Sequence, residues 1–158
     1  MSTIAVVADS HDEIVDWEPV RDRLAELFAG ADLIVHCGDA TTARVHDDLA
    51  AIAPVVATRS PGDPPPDPPR LTDGPRVVRH AGVDVGIVFA LPAGVAVDDV
   101  FGQPVRLVLY GGTHQPGIEE RDDGTVLVNP GSPTLAERAT VALVEIDGDG
   151  IRPRIVDV

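Results

Sequence analysis

The stretch TIAVVAD, residues 3–9, decides how the rest of the chain is interpreted. It is a continuous apolar run that ends on an aspartate, and such a run is typical of a strand that is covered on both faces. A helical spacing of apolar residues follows over residues 16–29 and stops at Gly30. The opening therefore predicts a buried strand followed by a helix that packs on it.

The alternation of strand and helix continues along the first 58 residues. Residues 33–37 and 54–58 are short apolar runs, and residues 41–53 between them carry apolar side chains on one helical face. Parallel strands joined by helices form right-handed crossovers, so this order predicts a layered α/β core. We expect one domain over residues 1–158, because a chain of this length buries a sizeable core without dividing.

The second half of the chain predicts mainly strands. Residues 60–75 are rich in proline, which fixes φ and lacks a donor, so they predict an extended surface loop that no regular element uses. A weak helix is predicted at residues 95–101. Strands are predicted at residues 77–78, 85–89 and 105–110 and, in the tail, at 117–121, 125–128, 139–146 and 151–156. The tail strands are expected to pair antiparallel about turn signals.

Composition limits the classes of partner. The net charge is −14, from 26 acidic residues against 12 basic ones, and every basic residue is arginine. A phosphate backbone requires a basic surface, so nucleic acid and anionic membranes are unsuitable partners. Dispersed acidic residues are typical of a halophilic protein, because molar salt shortens the screening length to about 3 Å; the alternative is an acidic protein from a GC-rich genome.

Location and redox chemistry follow from equally simple features. The N-terminal residues carry no basic segment, and no apolar stretch approaches the ~20 residues of a membrane span, so we expect a cytoplasmic protein. The single cysteine, Cys37, excludes an internal disulfide. It lies in an apolar run, which favours a buried, inert thiol over a nucleophile.

Three predicted strands end in chemically active side chains: ADSH (8–11), HCGD (36–39) and GGTH (111–114). Taken singly, Asp9 and Asp39 would suit helix N-caps or turns, and His114 would suit an exposed turn. The carboxyl ends of strands are, however, where layered α/β folds bind ligands, so these residues are expected to converge with His11. In a strand, the spacing of Asp9 and His11 would point both side chains the same way. Two carboxylates and two imidazoles predict a site for one divalent ion (Mn, Fe, Zn or Ni), with Mn favoured.

These motifs, together with NPGS at residues 129–132, resemble the calcineurin-like metallophosphoesterases, and most closely the small phosphodiesterases of the YfcE type. The resemblance extends over nearly the whole chain, and it rests on the order and spacing of four motifs. It implies a four-layer α/β sandwich of mixed β-sheets with a two-metal site. One metal of that family takes the D-x-H pair, the Asp of GD and the last His of GHTH, which are Asp9, His11, Asp39 and His114 here.

The resemblance also implies that the second metal site is degenerate. That metal shares the GD aspartate and adds the Asn of a GN motif, a His at the next strand end and the first His of GHTH. This chain has Pro61 at the first position, Phe89 or Ala90 at the second and Gly112 at the third. None of these side chains coordinates a divalent ion.

The remaining residues of interest lie beside the expected metal. Arg59 matches a family position and is predicted to bind a phosphate oxygen, which with Asp39 makes the expected catalytic pair; the alternative for Arg59 is a surface ion pair with an aspartate. Asp63 is predicted to cap the proline-rich loop, with a hydrogen bond to a bound water as the alternative. Asn129 and Ser132 are expected to shape a loop beside the site.

Two main hypotheses about function follow. The first is a phosphoesterase that hydrolyses small phosphomonoesters or phosphodiesters with one divalent metal ion. The second is a catalytically inactive homologue that acts as a binding or regulatory module for a protein partner. A metal-dependent reaction on a non-phosphate ester is a further alternative.

Overall fold

The computed structural model describes residues 1–158 and contains two mixed β-sheets. The first sheet has six strands in the order β11-β10-β1-β2-β3-β4. Its strands are β1 (Ser2–Val7), β2 (Leu33–His36), β3 (Val55–Arg59), β4 (Leu71–Asp73), β10 (Thr140–Asp147) and β11 (Gly150–Asp157). The second sheet has the order β5-β6-β7-β9-β8, with β5 (Arg76–His80), β6 (Val83–Val88), β7 (Leu107–Tyr110), β8 (Pro116–Glu120) and β9 (Val126–Pro130).

Three helices complete the structure: α1 (Trp17–Leu27), α2 (Ala43–Ala50) and α3 (Val97–Phe101). The first two connect the parallel strands β1, β2 and β3, as the sequence predicts. Both helices are shorter than their predicted spans. At the C-terminal end of α3, Gly102 adopts φ 70°, a conformation that glycine accepts without a steric penalty.

Side chains of a strand alternate between the two faces of its sheet, so the apolar residues of one strand contribute to two large cores. On β1, Ile4 and Val6 pack in the core between the two sheets, whereas Ala5 and Val7 pack against α1 and α2. A smaller third core lies between the second sheet and α3. The order of layers is thus helices, sheet, sheet, helix, and the predicted four-layer α/β sandwich is confirmed. No helix of the chain combines the length and the apolar character needed to cross a membrane.

The prediction that residues 60–75 contain no regular element is wrong at one point. Leu71 begins a three-residue strand that pairs parallel with β3, and its side chain is buried against the α1–α2 side of the first sheet. Arg76 donates to the carbonyls of Pro69, Arg70 and Ala57, which ties the end of the proline-rich segment to the sheet. One buried leucine and these hydrogen bonds outweigh the low strand preference of the surrounding prolines.

Candidate metal centre

The four predicted ligands converge at the carboxyl ends of strands from both sheets. Asp9 and His11 follow β1, Asp39 follows β2 and His114 follows β7, and one ligand atom from each lies within 4.8 Å of the others. The Nε2 atoms of His11 and His114 are 3.2 Å apart. His11 Nε2 lies 3.5 Å from Asp39 Oδ2, and His114 Nε2 lies 3.6 Å from Asp9 Oδ1. We call these four residues the quartet.

All four quartet residues adopt left-handed backbone conformations. The φ angles are 54° for Asp9, 42° for His11, 57° for Asp39 and 61° for His114. Few non-glycine residues adopt positive φ, and such strain is typically found at functional sites. The expectation that strand alternation aims Asp9 and His11 is therefore wrong: β1 ends at Val7, and the positive φ angles of both residues break the extended backbone that alternation requires.

The Asp9 carboxylate has one oxygen without a partner. Its side chain is fully buried; Oδ2 accepts a hydrogen bond from Gly112 N at 2.9 Å, whereas Oδ1 has no hydrogen-bond partner. Burial raises the pKa of Asp9 from 3.8 to about 6, against the lowering effects of the Gly112 N–H group and His114. A buried, unpaired carboxylate oxygen is costly unless a cation or donor meets it. This oxygen faces the quartet, as a metal ligand would.

The His114 ring is held in the tautomer that a metal ligand requires. Its Nδ1 lies 2.8 Å from the carbonyl oxygen of Leu135, which only accepts, so Nδ1 carries the proton and donates. The lone pair of Nε2 therefore points into the quartet. Metal-bound histidines usually donate their other ring nitrogen in this way. The donor set, the unpaired oxygen and this tautomer all fit a divalent cation.

Two buried aspartates that do not belong to the quartet hold the turns that carry it. Asp63 accepts hydrogen bonds from the backbone N–H groups of Asp39 (3.0 Å), Thr41 (3.3 Å) and Ser60 (2.8 Å). It therefore caps the start of the proline-rich loop and also fixes the Asp39 turn. Asp12, which sequence reasoning missed, accepts from Thr41 Oγ1 at 2.7 Å and joins the first turn to the start of α2.

Asn129 and Ser132 hydrogen-bond to the backbone of their own loop and to the turns beside the quartet, as the predicted loop-shaping role requires. Asn129 donates to Thr113 Oγ1 at 3.0 Å and accepts from Gly131 N. Ser132 Oγ donates to the carbonyl of Asp9 at 2.8 Å and accepts from Leu135 N at 2.9 Å. The same loop thus contacts the backbone of one quartet residue and supplies the carbonyl that orients another.

Arg59 lies at the end of β3 with its guanidinium directed to the proline-rich segment. Its Nε donates to the carbonyl of Pro64 at 2.6 Å, and Nη1 pairs with Asp73 at 2.7 Å. The ion pair with an aspartate, the alternative that the sequence left open, is thus present. The predicted contact of Arg59 with a phosphate stays a prediction.

Two of the three positions at which a second-metal ligand is predicted to be lost, Phe89 and Gly112, lie next to each other. Phe89 follows β6 directly, and its half-buried ring lies so close to Gly38 that a Cβ on that glycine would approach Phe89 Cδ2 to 2.5 Å. A Cβ on Gly112 would lie 3.6 Å from the same ring. Pro61 is exposed. An aromatic ring thus fills the space between the GD turn and the GGTH turn.

Outside the quartet, the other histidines and the cysteine take structural positions. His36 and His46 are buried, and His80 bonds to Ser2 Oγ at 2.8 Å. Burial also raises the pKa of the Cys37 thiol, in keeping with the inert role predicted for it. An open cleft of about 470 Å³ adjoins His114; its lining residues come from the GGTH turn and the loop after Ser132: Thr113, His114, Gln115, Pro116, Leu135, Ala136, Glu137 and Arg138.

Comparison with known protein families agrees with this geometry. The profile of the calcineurin-like phosphoesterase superfamily domain matches residues 2–149. The chain belongs to this superfamily. A probable metallophosphoesterase of Methanocaldococcus jannaschii is 30% identical over 147 residues, which cover 84% of this chain and 68% of the relative.

Solved structures with the same fold include a phosphodiesterase and a Vps29 protein. An archaeal phosphodiesterase superposes with a TM-score of 0.75 at 19% identity, over 98% of this chain and 99% of its own. Vps29 of Chaetomium thermophilum superposes with a TM-score of 0.72 at 20% identity, over 100% and 97%. At these identities the similarity establishes the fold alone. The chain is thus a metallophosphoesterase-family protein with a candidate divalent-metal group at Asp9, His11, Asp39 and His114.

Proposed function

We propose that this protein is a phosphoesterase that hydrolyses small phosphomonoesters or phosphodiesters with one divalent metal ion held by the quartet. The observation that carries the proposal is the buried Asp9 Oδ1, which lies 3.6 Å from His114 Nε2 and has no hydrogen-bond partner. Mn²⁺ is the favoured ion, because mixed carboxylate and imidazole ligands suit it. We also propose that residues 1–158 act as one domain in the cytoplasm.

The loss of the second metal site is part of the proposal. The Phe89 ring packs between Gly38 and Gly112, where family members place ligands for a second ion. An apolar ring in this space offers no lone pair and excludes water from it. Asp39, which bridges two ions in the family, then coordinates one ion, and its other oxygen is free to accept the hydrogen bond that Ser60 Oγ donates.

The side chains of this chain have distinct tasks in the proposed reaction. When a divalent ion is bound, it supplies a Lewis acid that polarises a phosphoryl oxygen and lowers the pKa of water. The quartet holds that charge beside the cleft at Thr113–Arg138, where the alcohol part of the ester has room to bind. Arg59 contacts the phosphate only if its guanidinium leaves both the Pro64 carbonyl and Asp73, of which the exposed ion pair with Asp73 costs little to exchange.

The decisive experiment combines metal stoichiometry with turnover. Protein purified without chelator is expected to contain one equivalent of divalent metal per chain, and to cleave bis-p-nitrophenyl phosphate or p-nitrophenyl phosphate with added Mn²⁺ in high salt. Asp39→Asn is expected to abolish turnover, because it removes a ligand charge. Asp122→Asn, an exposed aspartate in a turn, is the control for the change in charge and should keep activity. Two equivalents of metal, or no turnover with any divalent ion, would contradict the proposal.

The second candidate function is a non-hydrolytic binding or regulatory module. It is favoured by the same Phe89 ring, which occupies the space of the second metal. A site with one metal cannot stabilise both the attacking and the leaving oxygen of the hydrolysis. Metal binding without turnover on a broad ester panel, together with a stable protein complex recovered from extract of the source cells, would favour this function over the first.

A further inference from the structure

The buried ring of His36 joins the two turns that carry three of the four quartet residues. His36 is the last residue of β2 and is fully buried. Its Nε2 lies 2.8 Å from Ser10 Oγ, and its Nδ1 accepts a hydrogen bond from Gly38 N at 3.1 Å. Ser10 lies between Asp9 and His11, and Gly38 precedes Asp39. One rigid ring thus contacts both turns from the side of the core.

These two contacts fix the protonation of the ring. A backbone N–H group can only donate, so Nδ1 must carry a lone pair and the neutral ring must hold its proton on Nε2. That proton is then donated to Ser10 Oγ. Burial favours the neutral state and lowers the pKa of His36 well below its ordinary value. The ring therefore acts as one donor and one acceptor of fixed geometry.

The turns also bond to each other directly. Asp9 N donates to the carbonyl of Gly38 at 2.9 Å, and His11 N donates to the carbonyl of Asp39 at 3.1 Å. Asp63 and Ser132 hold the two turns from the side of the loops. The His36 ring supplies two further points of attachment from the side of the core, and it contacts both turns at once.

His46 provides a natural contrast. It lies on α2, is almost fully buried, and packs edge-on against His36 with ring centroids 5.5 Å apart. Neither of its nitrogens has a hydrogen-bond partner. Of two adjacent buried histidines, one therefore makes two directed bonds to the ligand-bearing turns and the other contributes packing alone.

We propose that His36 is a positioning residue that sets the separation between Asp39 and the Asp9–His11 turn, and so determines the affinity of the quartet for a divalent cation. This inference rests on the metal site proposed above. His36 itself touches neither metal nor substrate. It acts through Ser10 and Gly38, in the manner of groups that orient metal ligands from outside the coordination sphere.

The test measures Mn²⁺ binding by calorimetry to protein freed of metal with a chelator and then exchanged into chelator-free, high-salt buffer. We expect His36→Leu to weaken Mn²⁺ binding by about 10- to 100-fold. His46→Leu, matched in burial and in the residue introduced, should bind Mn²⁺ within about threefold of the wild type. His36→Leu removes a buried ring with two hydrogen bonds, so the melting temperature of the metal-free protein should fall in this variant. A merely structural role of His36 would lower stability and leave the affinity unchanged.

Two further variants keep the test decisive if His36→Leu does not fold. His36→Asn retains an acceptor near the position of Nδ1 and should keep the Gly38 contact. Its affinity for Mn²⁺ should lie between those of the wild type and of His36→Leu. Ser10→Ala removes the other contact and leaves the ring in place, and should also weaken binding. Wild-type affinity in these variants would overturn the role of His36 while the metal site stands. A wild-type protein that binds no divalent ion would overturn the metal site, and this inference with it.

Discussion

Replacing Asp9 by asparagine should stabilise the metal-free protein at neutral pH. The buried carboxylate has a pKa of about 6 in the folded state against 3.8 ordinarily, because burial disfavours its charge. At roughly 1.36 kcal/mol per pH unit, this difference corresponds to about 3 kcal/mol. A group whose pKa is raised by folding stabilises the folded state at low pH. This stabilisation is lost as pH rises through the folded-state value.

The asparagine amide also fits the contacts of the carboxylate. Its oxygen can accept from Gly112 N in place of Oδ2, and its NH₂ group can face His114 Nε2, which carries a lone pair. The amide thus mimics the protonated carboxyl at every pH. We expect Asp9→Asn to raise the free energy of unfolding by about 3 kcal/mol above pH 7, with a gain that shrinks toward zero near pH 4.

Urea unfolding of chelator-treated protein between pH 4 and pH 8 measures this effect. Asp39→Asn is the matched control: its carboxylate is 22% exposed and already accepts from Ser60 Oγ, so no comparable gain is expected. Saturating Mn²⁺ should stabilise the wild type and have no effect on Asp9→Asn. A metal-free Asp9→Asn protein that is no more stable than the wild type at pH 7.5 would refute the reasoning.

Three other predictions concern the rest of the chain. Burial lowers the pKa of His36 and His46, so the contribution of these two residues to stability should be lost as pH falls below about 6.5, opposite in sign to that of Asp9. In urea unfolding, His46→Phe should remove up to ~1.4 kcal/mol per pH unit of this loss. Gly111→Ala would place a Cβ 2.6 Å from Ala8 Cβ and should cost about 1–3 kcal/mol in the same assay, whereas Gly117→Ala, whose Cβ meets nothing within 4 Å, should be nearly neutral. Because the net charge is −14 and salt screens the repulsion between acidic side chains, raising NaCl from 0.1 M to 1 M should raise the melting temperature by at least about 2–4 °C. An unchanged melting temperature would contradict the idea that this repulsion destabilises the folded protein.

The layered α/β core and part of the quartet could be predicted from simple periodicities, whereas the four layers were implied by the resemblance in motifs. Apolar runs such as residues 3–9 mark strands covered on both faces, and polar residues at the ends of such strands meet at one edge of the sheet. These two rules bring Asp9, His11 and Asp39 together, whereas His114 follows a strand of the second sheet, whose position beside the first sheet the periodicity does not give.

The conformation of the quartet and its support could not be predicted in this way. Left-handed φ angles at Asp9 and His11 depend on turn geometry that no periodicity encodes. The partners of Asp63 and His36 come from distant parts of the chain, so local sequence gives no sign of them. Strand β4 was missed because a single buried side chain, Leu71, outweighs the prolines around it.

The position of β1 in its sheet has a consequence for the order of folding. Ile4 pairs with Leu33 on one side, close in sequence, and with Val144 on the other, nearly the whole length of the chain away. Contacts between distant segments form slowly, because a long loop must close before they contribute. Until residues 140–147 are synthesised, β1 is an exposed sheet edge, and Asp9 follows a strand that is paired on one side only. We therefore expect the candidate metal centre to be completed among the last steps of folding. Deletion of the C-terminal hairpin (residues 140–157) should abolish metal binding, although the four quartet residues all lie before position 115.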